Sequence, residues 1–295
     1  MVGIIADSTC DLSQDLLEKY QVAILPLHIL LGEDEYEDGR DIRPEEIYRW
    51  SDEHGATPRT SAPSLESASE LFREVGAKYE EIVCFSISGQ MSTSGNVMQL
   101  AAEEAGIAQR VTVIDSENLS TGIGLLVVEA AIMAQAGRSA REIGDRMAEL
   151  KPQVRASFVV DTLVYLHRGG RCSGLAAMLG STLHLHPQIV VENGRMHSAK
   201  KYRGSLEKAL AAYARDLEPV MRKARTERVF ITHSGCSPET VDMVREYLCQ
   251  LHIFDEILET RAGGVISSHC GPGTLGILFI ENNDKPHGIE GARRG

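Results

Sequence analysis

Residues Val111–Ala136 read VTVIDSENLSTGIGLLVVEAAIMAQA, and two changes of character within them decide the fold class. Arg110 to Asp115 is an apolar, β-branched stretch suited to a strand, and it gives way to a loop of small polar residues. Ile123 to Ala136 is then apolar apart from Glu129 and Gln135 and stops at Gly137, as a buried helix does. It is too short to cross a hydrocarbon layer of about 30 Å. The same alternation runs through the first half. Val2 to Ala6 reads as a strand, Leu12 to Tyr20 as a helix with Leu12, Leu16, Leu17 and Tyr20 on one side, and Val22 to Leu30 as a second strand. Asp38-Gly39 marks a turn, Pro44 with Glu45 and Glu46 opens a helix, and Glu81 to Ser86 is a further strand followed by a loop and a helical stretch. Strand, loop and helix in succession predict a parallel sheet with helices on both faces. Such sheets take ligands at the carboxyl ends of their strands.

The second half has a different pattern. Asn193-Gly194 separates Pro187 to Val191 from Arg195 to Lys201, a strong signal for an antiparallel hairpin. A helix near Ser205 to Ala214, a strand at Arg228 to Thr232, a helix at Pro238 to Leu251 and a strand at Gly276 to Ile280 follow. The expectation is an α/β protein of two domains with the ligand in the cleft between them. Residues 1–155 form an N-terminal parallel-sheet α/β/α domain, and residues 156–282 a C-terminal α+β domain with a mixed or antiparallel sheet. Residues 283–295 form a polar, glycine-bearing tail, expected to be mobile.

Composition narrows the function classes. Thirty Lys and Arg against 42 Asp and Glu give a formal charge of -12, which argues against wrapping nucleic acid or resting on an anionic membrane. Small ligands and protein partners remain. Cys10, Cys84, Cys172, Cys236, Cys249 and Cys270 lack C-x-x-C spacing, so neither a zinc site nor a disulfide framework is expected. VGIIAD is not preceded by a basic segment and apolar core, so no signal peptide is expected and the cytoplasm is the expected location.

Four segments carry candidate chemistry. In VVDTLVYLHRGGRCSG, Val159 to Gly174, two glycines between Arg168 and Arg171 form a tight turn able to hold two guanidinium groups for phosphate or carboxylate. Pairing with acidic residues is the plainer alternative. Thr60, Ser61 and Ser64 surround Pro63, and Ser86, Ser88, Ser92, Thr93 and Ser94 crowd one glycine-bearing loop. These hydroxyls read either as helix caps or as a site for an anionic head group. In His269-Cys270-Gly271-Pro272-Gly273 a tight turn either aims the imidazole into the cleft or leaves it in water.

These segments, taken in order with IIADSTCDLS, PRTSAPS, SISGQMSTSG, VTVIDSENLSTGIG, KKYRG and SSHCGPGTLG, resemble the DegV family over nearly the whole chain, from Asp7-Ser8-Thr9 to Gly276. The resemblance implies a cytoplasmic carrier that binds a long-chain fatty acid in a buried tunnel and needs no cofactor. By motif position it implies that Thr60, Ser92 and His269 contact the carboxylate. It also implies a partner, an ATP-dependent fatty acid kinase subunit, which converts the carboxylate to an acyl phosphate for phospholipid synthesis. Catalysis by the carrier alone is not expected. Arg168, Arg171 and Arg203 would serve docking and phosphoryl charge, with Lys200 and Lys201 added to the patch. Tunnel walls are sought near Gly122, Gly124, Leu163, Leu166, Leu175, Met178 and Leu179. The chain departs from the family pattern at Gln90 and Thr93, where glycines are usual.

Two other readings of the same residues remain at this stage. Ser92, His269 and Asp115 could form a hydrolase triad, although no G-x-S-x-G occurs. His184, His186 and His197 could hold a metal ion across the Asn193-Gly194 hairpin.

Overall fold

A computed structural model describes residues 1–173 and 185–282. In the first half, β1 (Val2–Asp7), β2 (Val22–Leu25), β6 (Glu81–Ser86) and β7 (Val111–Asp115) form a parallel sheet in the order β2-β1-β6-β7. Every residue of β1 is buried, as expected for a parallel strand covered on both faces. Helices α1 (Gln14–Tyr20), α3 (Leu65–Lys78), α4 (Ser94–Glu104), α5 (Thr121–Gln135) and α6 (Ala140–Leu150) supply the cover. Between α1 and α3 lie β3 (His28–Leu31), β4 (Asp34–Glu37), α2 (Pro44–His54) and β5 (Arg59–Ser61), with the three strands paired as a small antiparallel sheet.

That small sheet corrects the single strand expected over Val22 to Leu30. Pro26 has no amide hydrogen to give to a ladder, so pairing with β1 ends at Leu25. The chain then enters a second sheet at His28. The first helix is also shorter than expected, beginning at Gln14 rather than Leu12.

From β8 (Val154–Val159) onward the strands belong to a seven-stranded mixed sheet. It comprises β9 (Cys172–Ser173), β10 (Leu185–Glu192), β11 (Arg195–Arg203), β12 (Ala224–Ser234), β13 (Glu256–Arg261) and β14 (Thr274–Glu281), in the order β13-β12-β14-β8-β10-β11-β9. Helices α7 (Val164–Gly169), α8 (Leu206–Met221), α9 (Pro238–Leu251) and α10 (Gly264–Cys270) connect or cover it. The hairpin between β10 and β11 turns at Asn193 and Gly194, both with positive φ, which matches a tight two-residue turn.

Helix α5 explains its own apolar sequence. It touches β1 and β6 of the parallel sheet and β8 and β14 of the mixed sheet, so it lies between the two and has no free face over most of its length. One continuous core joins Ile4 and Phe85 on one side to Phe158, Ile189 and Leu278 on the other. Among the described residues no helix is long and apolar enough to cross a membrane.

Candidate functional site

Four elements from both halves meet around one cavity of about 450 Å³. Thr60 lies on β5, opposite Ile29 of β3. Ser92 lies in the loop between β6 and α4, where its amide donates to the Ser88 carbonyl at 3.1 Å. His269 is in the last turn of α10, which replaces the turn expected around it with a helix. Arg171 follows the end of α7. These four residues, with Ser61 and Thr93, form the polar part of the wall, and Leu27, Ile87, Leu119, Met196, Val265 and Ile266 contribute the apolar part. An apolar enclosure with a few polar groups in its wall suits an amphipathic ligand.

His269 is the most constrained member. Its Nε2 shares a hydrogen bond with Thr60 Oγ1 at 2.8 Å, and its buried Nδ1 has no hydrogen-bond partner. Burial, with a further contribution from the Arg171 charge, lowers its pKa to about 4, so the ring is neutral at pH 7. The Gly169 backbone sits against the ring, and a Cβ there would lie 2.3 Å from Nδ1. Gly169→Ala is therefore expected to push the imidazole off Thr60, at the usual cost of overpacking of about 1–3 kcal/mol. Denaturant unfolding checks it, and native stability in the variant would show that the ring has room to spare beside the Gly169 backbone.

The two arginines of the RGGR turn do not act as one clamp. Gly170 ends α7 with φ +66°, and beyond it the side chains take different partners. Arg171 donates through Nη1 to the Gly169 carbonyl at 2.8 Å and through Nε to the Met91 carbonyl at 3.4 Å, at the cavity. Arg168 donates to the Gly55 carbonyl at 3.2 Å and does not line the cavity. Arg203 is exposed at the end of β11, opposite Leu185, also away from the lining. Lys200 is paired with Asp216.

Three buried aspartates hold the site together, and their role was not apparent from sequence. Asp7 accepts from the Ile87 amide and from Ser94 Oγ, both at 2.8 Å, which ties β1 to the loop bearing Ser92. Asp38 accepts from Ser8 Oγ at 2.8 Å and from the Gly264 amide at 2.7 Å. Asp11 accepts from Ser120 Oγ at 2.5 Å and from the Gly263 amide at 2.8 Å. The last two therefore anchor the start of α10, and with it His269, to the first half. Burial raises all three pKa values, that of Asp38 to about 6. Asp38-Gly39 carried only a turn signal, and a lone Asp in a turn looks the same whether it faces water or the amide of a distant helix.

The tunnel walls sought near α5 and α7 are placed elsewhere. Gly122 packs on Asn118 and Gly124 on Leu12 and the Cys10 carbonyl, while Leu166 is core. Leu163 packs against that core. Leu175, Met178 and Leu179 lie outside the described residues.

The alternative chemistries lack their geometry. Ser92 Oγ accepts from the Ser94 amide at 3.3 Å, and His269 Nε2 is on Thr60. Asp115 accepts from the amides of Gly89 and Glu117. Ser92, His269 and Asp115 are therefore not joined in a relay. His186 contacts the Gly204 carbonyl and Asp161, and His197 pairs with Val190 in the hairpin register, not with His186. His184 lies outside the described residues. No group of three or more potential metal ligands is found among the described residues.

The DegV family model matches residues 1–282. The chain belongs to the DegV family. A DegV domain-containing protein of Deinococcus radiodurans is 32% identical, with 94% of this chain and 98% of that protein aligned. A solved DegV family structure from Thermus thermophilus, described as fatty acid binding, superposes with a TM-score of 0.87 at 32% identity and covers 95% of this chain and 99% of its own. A stearic acid-binding protein from Eubacterium ventriosum superposes with a TM-score of 0.83 at 28% identity, covering 95% and 98%.

Proposed function

We propose that this protein binds a long-chain fatty acid in the cavity where its two halves meet and presents the carboxylate to a separate ATP-dependent kinase subunit. The carboxylate oxygen attacks the γ-phosphoryl group, and acyl phosphate and ADP leave. The observation that carries the reading is that Thr60, Ser92 and His269 line one cavity whose wall also carries Leu27, Ile87, Leu119, Met196, Val265 and Ile266, with Thr60 and His269 joined by a hydrogen bond. DegV relatives described as binding fatty acids support the ligand class. The protein itself supplies no base or phosphoryl site in this reading. A neutral His269 and the hydroxyls of Thr60 and Ser92 hold the carboxylate as hydrogen-bond partners, and Arg171 at the rim meets the charge that develops on phosphoryl transfer.

Arg168 and Arg203, exposed and outside the cavity, are assigned to docking of the kinase. The test is reconstitution of oleate-loaded protein with ATP and the kinase subunit, reading acyl phosphate by mass spectrometry. Arg171→Ala and Arg203→Ala are expected to retain bound oleate and to slow phosphorylation at least tenfold, the scale of one lost charge-assisted hydrogen bond. Loss of oleate from either variant would instead place that arginine in ligand retention. Failure of the native protein to hold any fatty acid would remove the carrier function itself.

A further inference from the structure

Two residues of the loop that carries Ser92 reach away from the cavity and hold the opposite half of the molecule. Ser88 Oγ donates to the Gly194 carbonyl at 2.7 Å and accepts from the Gln90 amide at 3.2 Å. Gln90 Oε1 accepts from the Arg195 guanidinium. Gly194 is at the tip of the β10–β11 hairpin with φ +75°, and a Cβ on it would stand 2.6 Å from Ser88 Oγ. Glycine is thus required there twice, for the turn and for close approach. Within the loop, the amides of Met91 and Ser92 both donate to the Ser88 carbonyl, at 2.8 and 3.1 Å, so displacement of Ser88 carries both residues with it. Met91 and Ser92 line the cavity from the first half, and Met196, next to Arg195, lines it from the second. Gln90 and Arg195 are exposed and do not line it.

We propose that the hairpin tip is a latch on the head-group loop, in which Gln90 and Arg195 are positioning residues that govern how fast the ligand leaves. Gly194 and Arg195 grip Ser88 and Gln90, which keeps Met91 and Ser92 of one half against Met196 of the other. Parting the tip from the loop opens the cavity along that seam. Gln90 occupies a position where a glycine could not make this contact, because only a side chain reaches Arg195. The ligand measured rests on the fatty-acid reading above, whereas the contact between tip and loop does not.

The experiment measures dissociation of cis-parinaric acid, a fluorescent fatty acid, from the native protein and from Gln90→Ala, Arg195→Ala and the double variant. Hydrogen exchange of the Met91 and Ser92 amides is followed in the same proteins without ligand. Each single variant is expected to release the probe roughly fivefold faster, the scale of one side-chain hydrogen bond, and the double variant no faster than either. Gln90→Glu, which keeps an acceptor for Arg195, is expected to hold the native rate. The Met91 and Ser92 amides are expected to exchange faster in both alanine variants. Native dissociation rates in the single variants, or effects that multiply in the double variant, would overturn the latch. If the native protein binds no cis-parinaric acid, the fatty-acid reading fails and exchange alone decides: faster exchange in the variants supports the latch, and native exchange overturns it.

Discussion

Replacing His269 by alanine is expected to reduce acyl phosphate formation by the reconstituted system about 100-fold while the acyl chain stays bound, because a hydrogen bond to a charged group contributes about 1.5–3 kcal/mol. Burial of the chain dominates affinity, at up to about 0.8 kcal/mol per methylene before ordering costs. The imidazole contributes direction. It is fixed by Thr60 at 2.8 Å on one side and by the Gly169 backbone on the other, so it offers a carboxylate one defined position. Thr60→Ala removes the hydrogen bond that orients the ring. Its effect should therefore overlap with that of His269→Ala, and the double variant should be little worse than the histidine variant alone. Phosphate transfer per loaded protein, with loading read by native mass spectrometry, separates position from affinity. A His269→Ala protein that is fully loaded and phosphorylated at the native rate would take the ring out of the head-group site.

The second large effect is on acid stability. His269 has its pKa lowered from 6.5 to about 4 by burial and by Arg171, so the folded protein keeps the ring neutral while the unfolded chain takes up a proton. The stability this represents is complete above pH 6.5 and is lost as pH falls through 4, to a limit of about 3 kcal/mol. Asp38 runs the other way. Its pKa is raised from 3.8 to about 6 by burial, so the protonated acid suits the fold and stability is lost as pH rises through 6, again to about 3 kcal/mol. The two groups therefore oppose one another across one window. His269→Gln is expected to be more stable than the native protein at pH 4.5 relative to pH 7.5, and Asp38→Asn more stable at pH 7.5 relative to pH 4.5. Denaturant unfolding at the two pH values measures both. Parallel pH profiles for His269→Gln and the native protein would show that the ring is not buried in a neutral state.

The sequence revealed the parallel sheet because each strand of that sheet is a short apolar run followed by a loop and a helix, and all of that information is local. The β10–β11 hairpin was equally legible, since Asn193 and Gly194 have the conformational freedom that such a turn demands. The antiparallel sheet of β3, β4 and β5 was not. Its strands are three or four residues long, and β4 reads Asp34-Glu35-Tyr36-Glu37, with no apolar alternation to announce it. His269 was found, but as a turn residue, because Gly271-Pro272-Gly273 obscures the helix that ends just before it. The RGGR motif suggested one paired clamp, and the structure sends Arg168 to Gly55 and Arg171 to Met91. Spacing along a chain says how near two side chains can come. It does not say what competes for them.

Sequence alone determined the α/β class, the presence of a second region with an antiparallel hairpin, the family, and which hydroxyl, imidazole and guanidinium groups were available. Tertiary structure decided which of these share a cavity. Thr60 and His269 are 209 positions apart in the chain and bonded in space, and Asp38 reaches 226 positions to the amide of Gly264. Such contacts depend on how two sheets pack on α5, and the packing energy is spread over a core in which no single residue specifies its distant neighbour.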